Sequence, residues 1–191
     1  MIEIRIHGRG GQGNVVGAYL LATAAIAEGK FGQAFPAFGA ERRGAPVVAF
    51  VRIAEQTLRR RSQVQNPAFL IVQDQALLNI PGVLDGLQSD GRILVNSILD
   101  SEELAERTGR EVVALPADTW SREYLGRPLP NTTLLASFLV LTEILPLEAL
   151  TKALQERFRG ELLQRNLNLV NDIAQRVPAG IWREASHAES A

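Results

Sequence analysis

Apolar and polar positions along this 191-residue chain fall into two alternating rhythms. Ile2, Ile4 and Ile6 are separated by Glu3, Arg5 and His7, the two-residue period of a strand. From Val15 to about Glu28 the chain is small and apolar on nearly every side, and Gly29 stops it. That predicts a helix lying between other elements or under a partner chain. Further strands are predicted at Pro46–Ile53, Phe69–Gln73, Ile93–Asn96 and Glu111–Leu115, with a short strand in the first part of the Phe31–Gly44 stretch and an ordered loop in its second part. Phe69–Gln73 is continuously apolar, as suits a parallel strand buried on both faces.

Helical signals fill the gaps. A short helix is expected over Gln75–Asn79 and a second helical turn up to Leu87, with Ser89-Asp90-Gly91 as a turn. Asp100 and Glu103 have the spacing of a capping box, opening a helix that ends at Gly109. The run Asp118 to Pro130 is mixed. Asn131 is then expected to cap an apolar helix from Thr132 to Ile144, ended by Pro146. Helices Leu147–Phe158 and Glu161–Val177 follow. In the last, Leu163, Leu167, Val170, Ala174 and Val177 form a stripe predicted to face the core.

Strands alternating with helices at this spacing predict an α/β fold. The expected form is an open, largely parallel, Rossmann-like sheet flanked by helices, with further helices at the C-terminal end. One domain over residues 1–177 is expected, followed by a tail, 178–191, that is disordered or partner-bound. Ile181 and Trp182 are out of place in a free tail and read as an anchor on a partner or on the body.

Between the first strand and the first helix lies Gly8-Arg9-Gly10-Gly11-Gln12-Gly13-Asn14. Strand, glycine loop and helix bring backbone N–H groups and the positive end of a helix dipole onto an anion. Gly8, Gly10 and Gly13 have the G-x-G-x-x-G spacing in the strand-to-helix context that the motif requires. The chain is therefore read as holding a phosphate-bearing ligand here. NAD or FAD is the first candidate, yet a ribose-binding acid should stand ~20 residues beyond the loop. No acidic residue lies between Glu28 and Glu41. A nucleoside-triphosphate loop is excluded, because no lysine followed by Ser or Thr closes the glycine run.

A second constellation, Glu41-Arg42-Arg43-Gly44, is flanked by Phe38-Gly39 and Ala45-Pro46, which suggests a shaped loop. Arginine suits bidentate recognition of phosphate or carboxylate. Arg59-Arg60-Arg61, by contrast, reads as a solvated face. Lys plus Arg (20) nearly balance Asp plus Glu (21), which argues against a general nucleic-acid surface. The chain has no cysteine, so it carries no disulfide, thiolate chemistry or cysteine-ligated iron–sulfur or zinc site. No basic stretch followed by an apolar run opens the chain, and no apolar run of ~18 residues is present, so a cytoplasmic protein is expected. His7 beside the glycine loop reads as structural, and no catalytic triad, carboxylate pair or metal set can be assigned. The chain is equipped for binding a ligand more than for difficult chemistry, which points to a subunit.

The sequence Ile-His-Gly-Arg-Gly-Gly-Gln-Gly-Asn at 6–14, the apolar helix after it, and Phe-Gly-Ala-Glu-Arg-Arg-Gly-Ala-Pro at 38–46 together resemble the gamma subunit, or gamma domain, of the 2-oxoacid:ferredoxin oxidoreductases. The resemblance extends from Ile2 to about Val177. Ala45 replaces a second glycine common in that family. The resemblance implies a multi-subunit enzyme that oxidatively decarboxylates a 2-oxoacid to an acyl-CoA and passes electrons to ferredoxin or a similar acceptor. It implies thiamine diphosphate, magnesium and iron–sulfur clusters in alpha, beta and ferredoxin-like delta subunits. For this chain it implies a part in binding coenzyme A and covering the active site, through Gly8, Arg9, Gly10, Gly11, Gln12, Gly13 and Asn14 with Glu41, Arg42, Arg43 and Gly44. Two other readings remain: a stand-alone NAD or FAD oxidoreductase, and a purely structural subunit.

Overall fold

The computed structural model describes residues 1–37 and 44–187. In chain order the elements are β1 (Ile2–Arg9), α1 (Asn14–Ala27), β2 (Phe31–Pro36), β3 (Pro46–Ala54), β4 (Phe69–Val72), β5 (Arg92–Asn96), α2 (Ser101–Thr108), β6 (Glu111–Leu115), α3 (Ala117–Leu125), α4 (Pro130–Thr142), α5 (Leu147–Arg157), α6 (Gly160–Arg176) and α7 (Arg183–His187). The strands form one sheet in the order β2-β3-β1-β4-β5-β6. β1, β4, β5 and β6 are parallel neighbours, while β3 runs antiparallel to both β1 and β2. Among the described strands β3 alone is therefore reversed, and the expected largely parallel α/β sheet is found.

The two halves of the sheet differ because their sequences do. Ile4 and Ile6 on β1, Ala49, Val51 and Ile53 on β3, and Phe69 and Ile71 on β4 face the main core with α1, α4, α5 and α6. On the opposite face, Leu70, Val72, Ile93 and Val95 make a second core under α2 and the 3-10 turn Gln75–Asn79. That same face carries Glu3, Arg5, His7 and Arg52 over β1 and β3, where strict alternation places polar residues.

α4 is the hub, buried at every residue. Three of its hydroxyls are hydrogen-bonded, while Thr133 Oγ1 is buried without a partner among the described residues. Ser137 Oγ donates to the Thr133 carbonyl at 2.8 Å, and Thr142 Oγ1 to the Phe138 carbonyl at 2.7 Å. Thr132 Oγ1 donates to Asn166 Oδ1 on α6 at 2.8 Å. Pairing of this kind is what allows hydroxyls inside a core.

Several local expectations are corrected. Asp100 stands before α2, but its side chain makes no cap hydrogen bond, and Glu103 pairs with Arg107 along the helix instead of closing a capping box. Asn131 does not cap α4: Pro130, preorganised for a first helical position, starts the helix two residues earlier than expected. The mixed stretch after Asp118 begins with a regular helix, α3, and the second helical turn before Leu87 is only a series of turns. Of the α6 stripe, Val170 and Val177 are in the core and Leu163 and Leu167 pack against it, while Ala174 is exposed. Asn166, Leu169 and Ile173, outside that stripe, are buried as well, Asn166 bonded to Thr132.

Beyond Val177 the chain turns back onto α4. Gly180 N donates to the Val140 carbonyl at 2.9 Å and Trp182 N to the Leu141 carbonyl at 2.8 Å. Trp182 is 1% exposed, with its ring 6.2 Å from Phe69 and its Nε1 donating to Glu111 Oε1 at 2.7 Å. The expected anchor is therefore on the body and consists of Trp182, while Ile181 stays exposed.

Candidate functional site

The glycine loop leaves the C-terminal end of β1 and enters α1. Gly8 lies so close to β4 that a Cβ there would sit 2.8 Å from Gln73 Oε1. Gly10 is zipped to the segment that enters β3: its N–H donates to the Ala45 carbonyl at 3.0 Å, and Gly44 N donates to the Gly10 carbonyl at 3.2 Å. The two constellations singled out in the sequence thus meet at Gly10 and Gly44. Glu41, Arg42 and Arg43 lie outside the described residues.

The side chains of the loop brace it. Gln12 Oε1 accepts the Arg9 N–H at 2.7 Å, and Arg9 Nε pairs with Asp74 at the end of β4. Asn14, 3% exposed, donates from Nδ2 to the Val47 carbonyl at 2.6 Å. Gly11 and Gly13 have φ values of 100° and 75°, the left-handed region that glycine enters without strain. Gly13 precedes α1 and offers no side chain to its first turn, and no side chain caps the helix. The first amides of α1 thus lack an intrahelical acceptor and carry the positive end of its dipole.

Two clefts border the loop. One, about 340 Å³, lies at the C-terminal ends of β4, β5 and β6, beside the point where connections leave the sheet in opposite directions. This is where open α/β sheets place ligands. Gln73, Asp74, Asn96, Ser97, Asp118 and Thr119 line it. Gln73 is 1% exposed with its Oε1 unpartnered, and Asp118 Oδ1 is buried without a partner. The other cleft, about 230 Å³, is lined by Gly11, Gly13 and Val16 on the loop side and by Arg127 and Arg157 opposite. Neither arginine forms a hydrogen bond or ion pair with any described residue.

Arg127 and Arg157 were not legible as site residues. Arg127 lies within the mixed stretch before Pro130, and Arg157 ends α5; only the packing of α3 and α5 brings them to the loop. His7, on β1 just before the loop, is 5% exposed. Burial first, and then the nearby Arg5 charge, push its pKa down to about 4. Among the described residues no group of three or more His, Cys, Asp or Glu could hold a metal ion, and no helix is long and apolar enough to cross a membrane. The arrangement supplies backbone amides and two free cations for an anion, next to a polar cleft.

Residues 3–175 match the family described as pyruvate ferredoxin/flavodoxin oxidoreductase. The chain belongs to that family. It is 43% identical over 166 residues to pyruvate synthase subunit PorC of Methanocaldococcus jannaschii, covering 87% of this chain and 91% of that one. It is 44% identical over 169 residues to the pyruvate/ketoisovalerate oxidoreductases common subunit gamma of Pyrococcus abyssi, with 87% and 91% covered. The crystal structure of pyruvate oxidoreductase subunit PORC from Thermotoga maritima superposes with a TM-score of 0.81 at 36% identity, over 91% of this chain and 95% of that one. The gamma-subunit resemblance carried by the glycine loop and the Glu41–Gly44 segment is thereby shown, and the fold is that of a family member throughout.

Proposed function

We propose that this chain acts in the cytoplasm as the gamma subunit of a 2-oxoacid oxidoreductase and contributes the phosphate-binding side of a coenzyme A site. The observation that carries this reading is the 230 Å³ cleft, which Gly11 and Gly13 before the uncapped start of α1 line together with Arg127 and Arg157. Coenzyme A carries a diphosphate and a further phosphate, and backbone amides with arginine side chains are the groups that recognise such anions. Gly44 belongs to the same region through its pairing with Gly10, and Glu41, Arg42 and Arg43, which precede it in sequence, are included in the proposal. Gly8, Arg9, Gln12 and Asn14 then hold the loop in shape, while Gly10, Gly11 and Gly13 present backbone.

In this reading thiamine diphosphate, magnesium and the iron–sulfur clusters reside in alpha, beta and ferredoxin-like delta subunits. The absence of cysteine from this chain requires any cysteine-held cluster to be elsewhere. Thiamine diphosphate would supply the carbanion chemistry of decarboxylation, and this chain would bind and orient coenzyme A and cover the site from water.

The test is coenzyme A kinetics in the assembled complex with Arg127→Met, Arg157→Met, Arg42→Ala and Arg43→Ala. Loss of one charge-assisted bond should raise the KM for coenzyme A about tenfold with assembly intact. An unchanged KM in all four variants would leave a purely structural subunit. Nucleotide retained by the chain purified alone would favour a stand-alone NAD or FAD enzyme.

A further inference from the structure

Two arginines are buried on the sheet face opposite α1, and they are partnered unequally. Arg52 on β3, 1% exposed, donates from Nε to the Glu3 carboxylate at 2.7 Å and from Nη1 to Gln33 Oε1 at 3.3 Å. Its guanidinium also lies over the Phe35 ring. Arg5 on β1, 8% exposed, meets only carbonyl groups: Nη2 donates to the Val83 and Asp85 carbonyls at 2.9 and 2.6 Å. Its Nε is buried without a partner. A guanidinium taken out of water is ordinarily met by an anion; among the described residues Arg52 is hydrogen-bonded to a carboxylate and Arg5 is not.

His7 stands two residues along β1 on the same face, and its Nε2 is also buried and unpartnered. Both side chains line an open cleft of about 380 Å³. Val48, Phe50 and Val64 give it apolar walls, and Asp85 also lines it. The Asp85 charge is near enough to favour the charged form of Arg5, yet its carboxylate makes no hydrogen bond or ion pair with Arg5. Helices cover the other face of these strands, and an apolar core covers β4 and β5 on this face. Among the described residues, Arg5 and His7, each with a buried nitrogen lacking a partner, thus line the same open cleft.

The geometry points to a binding site here for a small soluble monocarboxylate, its carboxylate on Arg5 and His7 and its short apolar body against Val48 and Phe50. The apolar walls at Val48 and Phe50 leave no partner for a second charged group, which disfavours phosphate and dicarboxylates.

The probe is isobutyrate, with isobutyramide as its uncharged counterpart of the same shape. Histidine-labelled full-length chain is followed by NMR, with His187→Gln assigning the His7 signal. Isobutyrate should move the His7 resonance saturably, with a dissociation constant on the order of millimolar. Isobutyramide and inorganic phosphate should not. Arg5→Met should weaken isobutyrate binding about tenfold or more. If Arg5→Met fails to fold by circular dichroism, the contrast between acid and amide on the unaltered chain decides. Equal response to acid and amide, absence of saturation, or undiminished binding by folded Arg5→Met overturns the site. Equilibrium dialysis of radiolabelled isobutyrate against the assembled complex should give the same stoichiometry as the free chain. Binding lost on assembly overturns the soluble ligand and assigns the missing anion to a partner's side chain.

Discussion

Gly13 and Asn131 are fitted against each other. A Cβ on Gly13 would lie 2.6 Å from Asn131 Nδ2 and 3.1 Å from its Cγ, while that amide faces the Gly13 carbonyl at 3.5 Å. The start of α1 is thus seated on the first turn of α4, the hub of the core. Gly13→Ala combines left-handed backbone strain with displacement of a buried side chain, for a loss of about 2–3 kcal/mol. Asn131→Ala removes the obstacle, so the double variant should be more stable than the sum of the single losses predicts, by about 1 kcal/mol. Urea midpoints of the four proteins measure this. Strict additivity would show that the strain lies in the backbone alone.

Trp182 fastens the chain's end to its core. Trp182→Ala should cost about 3–5 kcal/mol through the cavity left beside Phe69. Trp182→Phe retains a ring but loses the donor to Glu111, for about 1 kcal/mol. A chain truncated after Val177 should resemble Trp182→Ala in thermal melts. A truncated chain as stable as the whole would mean that the contact is not maintained in solution.

Much of this architecture was written in periodicity. The isoleucines of β1, the apolar β4 and the alternation of strands with helices led directly to the sheet, and the glycine spacing led to the loop. What escaped had physical reasons. The reversal of β3 follows from a connection whose direction no local pattern encodes. Asn166 is polar, so a stripe drawn through apolar residues left it out of the buried face of α6, where it bonds Thr132. Asp100 had the right spacing for a cap, but spacing does not determine which partner Glu103 takes. Arg127 and Arg157 are 30 residues apart in sequence and join the glycine loop only through helix packing, beyond the reach of any motif.

The Glu3–Arg52 pair offers a third measurement. Arg52 is almost wholly buried and Glu3 nearly so, with side-chain exposures of 1% and 13%. Glu3→Ala leaves the guanidinium without its carboxylate and should cost about 3–5 kcal/mol. Glu3→Ala combined with Arg52→Met removes both charges and keeps an apolar chain over Phe35, so it should recover a large part of that loss. Denaturant melts at low and high salt should agree closely, since a buried pair is little screened. A double variant no better than Glu3→Ala would place the cost in packing instead of charge.

His7 ties stability to pH in a direction that can be stated in advance. Its ordinary value of 6.5 falls to about 4 in the folded chain, because burial and then the Arg5 charge disfavour the imidazolium. Between these values the unfolded chain holds a proton at this position that the folded chain does not. The contribution of neutral His7 is therefore complete above pH 6.5, falls as the pH drops toward 4, and levels off below that. At about 1.4 kcal/mol per unit the full span is about 3 kcal/mol. His7→Gln lacks this term. The stability difference between the unaltered chain and His7→Gln should shrink steadily from pH 7 to pH 4.5 in a buffer free of carboxylates, where no added anion can offset Arg5. A constant difference over that range would show that His7 keeps an ordinary pKa and that Arg5 does not act on it.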